Sequence, residues 1–149
     1  MAKTKSAPQV HFEDVSVGME LPTIVKHPNE LQLFMFAAAT WDTHRTHWDI
    51  PYAVNVEKLP GILVFGHMQA AFLGQLVTDW ITPGGRLLRL NYQNRRMAIQ
   101  GDTLSCKGKI KEKKEENGKG LIVAETWIEN QKGEITTTAE STFELPKRK

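Results

Sequence analysis

The stretch from Gly66 to Trp80 constrains the fold most. Met68, Ala70, Ala71, Phe72, Leu73, Leu76 and Val77 spread apolar side chains over most sides of any helix it forms, and a helix apolar nearly all round has to be enclosed. Small residues at Gly66, Ala70, Ala71 and Gly74 let other backbone come close. A bilayer is a poor enclosure for it. The wider stretch Leu59 to Ile81 is broken by Gly61, His67, Gln69, Gln75 and Asp79, whereas a membrane span wants about 20 predominantly apolar residues. The chain itself is expected to supply the cover, with no membrane involved.

The cover follows in sequence. After Thr82-Pro83-Gly84-Gly85, Leu88, Leu90 and Tyr92 alternate with Leu87, Arg89 and Asn91. Leu121, Val123, Glu125 and Trp127 alternate with Ile122, Ala124, Thr126 and Ile128, and Ile135, Thr137, Ala139, Ser141 and Phe143 mark one face of a last strand. Turn signals at Gly101-Asp102, Asn117-Gly118 and Lys132-Gly133 separate these segments, which predicts an antiparallel meander. Ahead of the apolar helix, Asn29 is placed to cap a helix with Leu31, Phe34, Met35 and Ala38 on one face. Helices first and long antiparallel strands afterwards make an α+β pattern, with one sheet around one buried helix.

Size and charge then bound the function. A chain of 149 residues is expected to hold one domain, here residues 9–146, flanked by an N-terminal tail over 1–8 and a basic, solubilising end over 147–149. The lone Cys106 leaves no internal disulfide, which fits a reducing, cytoplasmic setting. A balance of 19 basic against 17 acidic residues gives no general nucleic-acid signature.

Chemistry concentrates in Asp42-Thr43-His44-Arg45-Thr46-His47-Trp48-Asp49, between the two helices. If the loop folds back, Asp42 and His47 converge as a carboxylate–imidazole pair able to move protons near neutral pH. A polar surface loop is the other reading, and a metal site through His44, His47, Asp42 and Asp49 a weaker one, because no further Cys or His cluster completes it. No Gly-x-Ser-x-Gly elbow or phosphate-cradling glycine loop occurs, and Cys106 lies in an alternating strand with no histidine beside it in sequence. The first amides of the second helix, near Gly66 and His67, sit at its positive end and can stabilise charge on a carbonyl oxygen, unless Gly66 serves only tight packing.

Phe36-Ala-Ala-Ala-Thr40-Trp41-Asp42-Thr43-His44-Arg45-Thr46-His47-Trp48-Asp49-Ile-Pro-Tyr52-Ala53 resembles the hydratase motif of the MaoC-like dehydratase family, in its mitochondrial-type and mesaconyl-type variant. Phe12 to Gly18, Pro60 to Ala70 and Gln100 to Leu104 resemble further segments of that family in order and spacing. The resemblance implies a hot-dog fold and reversible, usually (R)-specific, hydration of a 2-enoyl thioester. No metal or cofactor is implied, and coenzyme A or an acyl carrier protein enters only as the carrier of the substrate. A single unit of this length also implies a homodimer or a larger assembly of dimers.

Carried over by position, Asp42 and His47 match the catalytic pair, and Gly66 matches the glycine whose amide binds the thioester oxygen. Arg95 and Arg96 are candidates for the carrier's phosphates, and Phe36 and Phe72 for the acyl lining. The chain departs from the motif at Trp41, where the family has glycine, and at Phe65, where it has histidine. These departures bear on the shape of the site, and the unusual His67 either faces it or caps local backbone. A noncatalytic hot-dog subunit is the alternative from another class. A thioesterase is a third reading, which would need a carboxylate aimed at the thioester carbonyl.

Overall fold

The computed structural model describes residues 9–148. The tail expected over 1–8 and the final residue of the basic end lie outside them. A 3-10 turn at Phe12–Asp14 leads to strand β1 (Ile24–Lys26) and helix α1 (Glu30–Thr40). A second 3-10 turn, Arg45–His47, precedes the short helix α2 (Ile50–Asn55) and the long helix α3 (Gly66–Ile81). Four strands complete the chain: β2 (Arg86–Asn94), β3 (Leu104–Glu116), β4 (Lys119–Glu129) and β5 (Ile135–Leu145).

All five strands form one antiparallel sheet in the order β1-β3-β4-β5-β2. Every second residue of β4 and β5 turns inward, including Ile122, Ile128 and Phe143, which are fully buried. Leu73, Leu76, Val77 and Ile81 of α3 fill the same core. The inner side of the helix is thereby covered, removing its side chains from water at about 25 cal/mol per Å² of apolar area, while Ala71, Gln75 and Asp79 stay exposed on the opposite side; the hot-dog expectation is met. Asn117 and Gly118 carry φ angles of 51° and 75°, the backbone of a two-residue hairpin turn matched to strand twist.

Three expectations need correction. Gly101-Asp102 does not join neighbouring strands, since β2 and β3 lie at separate positions in the sheet. Asp102 instead accepts from Ile99 N–H at 2.8 Å and from Gln131 Nε2 at 2.7 Å, tying the crossover to the β4–β5 turn. A two-residue turn signal fixes a reversal but not the pairing partner. In β2, a register shift between Leu87 and Arg89 breaks the alternation, so Leu87 and Leu90 pack inward while Leu88 and Tyr92 are exposed. Helix α1 forms under its Asn29 cap, whose Oδ1 accepts from Gln32 N–H at 2.9 Å, but it buries the other face. Leu33 and Ala37 are inside, whereas Leu31, Phe34 and Met35 are 66%, 54% and 61% exposed. Both stripes obey the helical spacing, so periodicity alone does not choose between them.

The basic end is anchored rather than free at the described positions. Lys147 Nζ pairs with Glu115 at 2.8 Å, and the Arg148 guanidinium pairs with Asp14.

Candidate active site

The dense loop is built by its own polar side chains. Helix α1 ends at Trp41, in the left-handed region at φ 58°, which explains why glycine suits this position: it has no Cβ to clash there. The indole is 84% exposed. Asp42 Oδ1 then accepts weakly from His44 N–H at 3.4 Å. His44 Nδ1 accepts from Thr46 N–H, also at 3.4 Å, at the start of the 3-10 turn. Thr46 is buried and its hydroxyl has no partner among the described residues. Its carbonyl accepts from Leu63 N–H at 3.0 Å and pins the turn to the segment leading into α3.

Asp49 ends the loop in a double role. Oδ1 caps α2 by accepting from Tyr52 N–H at 3.0 Å, and Oδ2 takes Arg45 Nε and Nη2 at 2.9 and 2.7 Å. The Arg45 guanidinium also lies 4.4 Å from the centre of the Tyr52 ring. The Tyr52 amide, and then Arg45, hold the Asp49 carboxyl below the usual carboxylate range. His44, Arg45 and Asp49 are therefore engaged in shaping the loop; Asp42 has only its long contact with His44, and no hydrogen bond or ion pair joins Asp42 to His47 among the described residues.

His47 is held from two sides. Its Nδ1 lies 2.9 Å from the Leu63 carbonyl oxygen. A carbonyl only accepts, so Nδ1 carries the proton and Nε2 of the neutral ring is the open acceptor. The imidazole stacks on the fully buried Phe65 at 3.9 Å and 21°. Phe36 backs Phe65 at 5.1 Å, and His67 packs against both rings at 5.0 and 5.2 Å. Phe65, in place of histidine, thus supplies an apolar wall behind His47, and His67 belongs to the aromatic packing.

A cavity of about 590 Å³ brings His47, Gly66, Arg95 and Arg96 together, with Gln69 and Asn94 also on its wall. Gly66 opens α3, and Phe65 before it provides no side-chain cap, so the first amides of the helix keep unengaged N–H groups at its positive end. A Cβ at this position would meet the Asn94 side-chain amide, which would have to shift to admit it. The backbone N–H groups of Arg95 and Arg96 both donate to the Thr136 carbonyl, at 2.8 and 3.1 Å.

Asp42, Phe36 and Phe72 are not on this wall. Asp42 is half-buried at the loop's start, and Phe72 packs at the core's edge with Lys26 Nζ 5.4 Å from its ring centre. A slightly larger hollow of about 660 Å³, around Tyr92, Trp127 and Glu140, shares only Arg95 with the sequence-predicted set and holds no His. Gln69, Asn94 and Glu134 are wall residues that the sequence reading did not single out. Gln69 left a signal: a carboxamide among the apolar residues Met68, Ala70 and Leu73, three residues after Gly66.

Comparison with known proteins agrees with this architecture. Residues 3–100 match the family model for hydroxyacyl-thioester dehydratase type 2. A stretch of 49 residues is 43% identical to mesaconyl-C(4)-CoA hydratase of Chloroflexus aurantiacus, covering 33% of this chain but only 18% of that protein. The unliganded R-hydratase PhaJ1 of Pseudomonas aeruginosa has the same fold, with a TM-score of 0.83 at 22% identity over 94% of this chain and 88% of its own. One chain of the ChsH1–ChsH2 complex of Mycobacterium tuberculosis has it too, with a TM-score of 0.77 at 22% identity over 87% and 98%.

Proposed function

Because the chain belongs to the hydroxyacyl-thioester dehydratase type 2 family, we propose that it reversibly hydrates 2-enoyl thioesters to 3-hydroxyacyl thioesters. One observation carries the reading: the Leu63 carbonyl at Nδ1 leaves His47 Nε2 as the open acceptor, on a cavity that Gly66 also lines. Asp42 and His47 hold one water and take a proton from it as its oxygen bonds to C3 of the substrate. A proton from the same pair goes to C2, so one water adds across the double bond and nothing is oxidised or reduced. The electron pair displaced toward the thioester oxygen is met there by the Gly66 N–H and the positive end of α3. Phe36 acts indirectly, by backing Phe65 and through it the imidazole.

The reaction needs no metal or cofactor, and the carrier, coenzyme A or an acyl carrier protein, is part of the substrate. The exposed guanidinium groups of Arg95 and Arg96 serve its anionic portion. The working unit is a homodimer, in which a second copy covers the outer face of α1 at Leu31, Phe34 and Met35. A noncatalytic acyl-thioester-binding subunit is the competing reading, favoured by the position of Asp42 off the cavity wall.

The deciding experiment follows the absorbance of the conjugated thioester in crotonyl-CoA and in longer and branched enoyl-CoAs, with chromatography of the product. Loss of absorbance with formation of the 3-hydroxyacyl thioester, undiminished by chelator, is expected. No loss with any substrate from an intact dimer would replace the enzyme with the noncatalytic subunit.

A further inference from the structure

Asn94 closes β2 beside the opening of α3, and backbone bonds hold it there. It pairs in register with Thr137 of β5, and the next two amides, of Arg95 and Arg96, donate to the Thr136 carbonyl. Val64 N–H donates to the Ala98 carbonyl at 2.8 Å, tying the chain that follows β2 to the chain that enters α3. One end of the Asn94 carboxamide lies against Thr137 and the other against Gly66, on the cavity wall that also carries His47.

The hydrogen bonds behind Asn94 allow it two settings. The carboxamide of the buried Gln69 has one end 2.7 Å from Thr136 Oγ1 and 3.0 Å from Thr137 Oγ1, both on fully buried threonines. Thr137 Oγ1 is also 3.1 Å from the Asn94 carboxamide. A threonine hydroxyl has one proton, so Thr137 donates to one of the two carboxamides and accepts from the other. When it donates to Gln69, Asn94 turns its carbonyl oxygen toward Gly66. When it donates to Asn94, Asn94 turns its NH₂ there, Gln69 donates to both threonines, and the Thr136 proton goes to the Ile128 carbonyl at 3.4 Å. A thioester oxygen held by the Gly66 N–H only accepts, so a bound substrate selects the second setting.

We propose that Asn94 takes part in the reaction: its side-chain NH₂ donates to the thioester oxygen beside the Gly66 N–H and shares the charge that builds there as water adds. The inference rests on the hydratase reading above and adds a residue to its machinery. Gln69 and Thr137 are positioning residues, acting only by setting Asn94. Leu63, Val64 and Met97 stand on the same wall, so these side chains and the bound acyl group keep water from the oxygen, where a fixed donor stabilises charge best. Loss of one such donor lowers kcat by about 100-fold.

Two substitutions separate donation from packing. Asn94→Ala removes the carboxamide, whereas Asn94→Asp keeps its shape and still accepts from Thr137 but has no N–H to offer. Asn94 is exposed, so both variants should melt close to the wild-type chain. Each is expected to lower kcat on the best enoyl thioester by about 100-fold, with a smaller change in KM. Thr137→Val should cost less, and Thr137→Ser, which keeps the hydroxyl, should restore the rate. A second readout is the absorbance of bound 4-(dimethylamino)cinnamoyl-CoA, whose band moves to longer wavelength as hydrogen bonds polarise its carbonyl. The shift should be smaller in both Asn94 variants than in the wild-type chain. Near wild-type kcat in Asn94→Asp, or a band shift unmoved in Asn94→Ala, would overturn the inference and leave the hydratase reading intact. No turnover of any enoyl thioester by the wild-type chain would remove the hydratase reading instead, and the band shift would still decide whether Asn94 meets the carbonyl.

Discussion

The loop from Trp41 to Asp49 and the opening of α3 at Phe65 and Gly66 meet at one cavity but are held by different forces. The loop is fixed by polar contacts of its own residues, His44 to Thr46 and Arg45 to Asp49, on a largely exposed surface. An exposed ion pair such as Arg45–Asp49 contributes little to stability, because water screens it. The opening of α3 is fixed by packing: Phe65 is fully buried, and Gly66 lies against the Asn94 side chain, which a Cβ would displace. His47 belongs to the loop by sequence but to the packed region by its contacts, through Leu63 and Phe65. Asp42, with one 3.4 Å contact, is the least constrained of the two. Density of charge thus marks where a loop is built, and His47 sits where that loop touches the packed helix.

The largest expected effect tests that division. His47→Gln should lower turnover of the best enoyl thioester by at least ~100-fold, with only a small fall in melting temperature, because glutamine can still donate to the Leu63 carbonyl but loses the stack on Phe65. An equal loss in a His44→Gln variant would break the distinction between the two histidines. Gly66→Ala comes next: forcing a methyl against Asn94 should destabilise the protein by about 1–3 kcal/mol in denaturant titration and lower turnover as well. Wild-type stability would mean that Asn94 moves aside freely and that this region is not the rigid one.

Smaller effects belong to the loop. Asp49→Asn keeps an oxygen to cap α2 but loses the charge facing Arg45. The Asp49 carboxyl is held below its ordinary range in the folded protein, so its contribution is present above the unfolded carboxylate pKa and lost as pH falls through the folded one. The melting-temperature deficit of Asp49→Asn should accordingly be seen at pH 7 and shrink in acid. A deficit independent of pH would point to the cap alone. The smallest effect is a gain: Trp41→Gly should stabilise by about 1 kcal/mol by relieving the left-handed backbone, and a loss would mean that the indole packs on a second copy of the chain.

Much of the fold was legible because it rests on local patterns. The Asn29 cap, the Asn117-Gly118 turn and the alternation in β4 and β5 each specify their element within a few residues. The inner face of α1, the bulge at Leu87 and the partner of β2 were not legible, since each depends on residues distant in sequence. The candidate site divides in the same way. Asp42, His47 and Gly66 stood out through a recognisable motif, whereas Gln69 and Asn94 acquire meaning only when α3 meets Thr136 and Thr137 of β5. The stack of His47 on Phe65 was equally hidden, because the two lie on separate segments joined by the Leu63 contact.

Turnover by Asp42→Asn, set against the wild-type chain on the best enoyl thioester, tests the central claim most directly. The substitution changes one oxygen to nitrogen at a half-buried position and leaves the packed side of the cavity untouched. The account predicts at least a ~100-fold fall in kcat, with the dimer intact and a saturated acyl thioester bound as before. A near wild-type rate would contradict it, leaving Asp42 a loop residue and His47 without its partner.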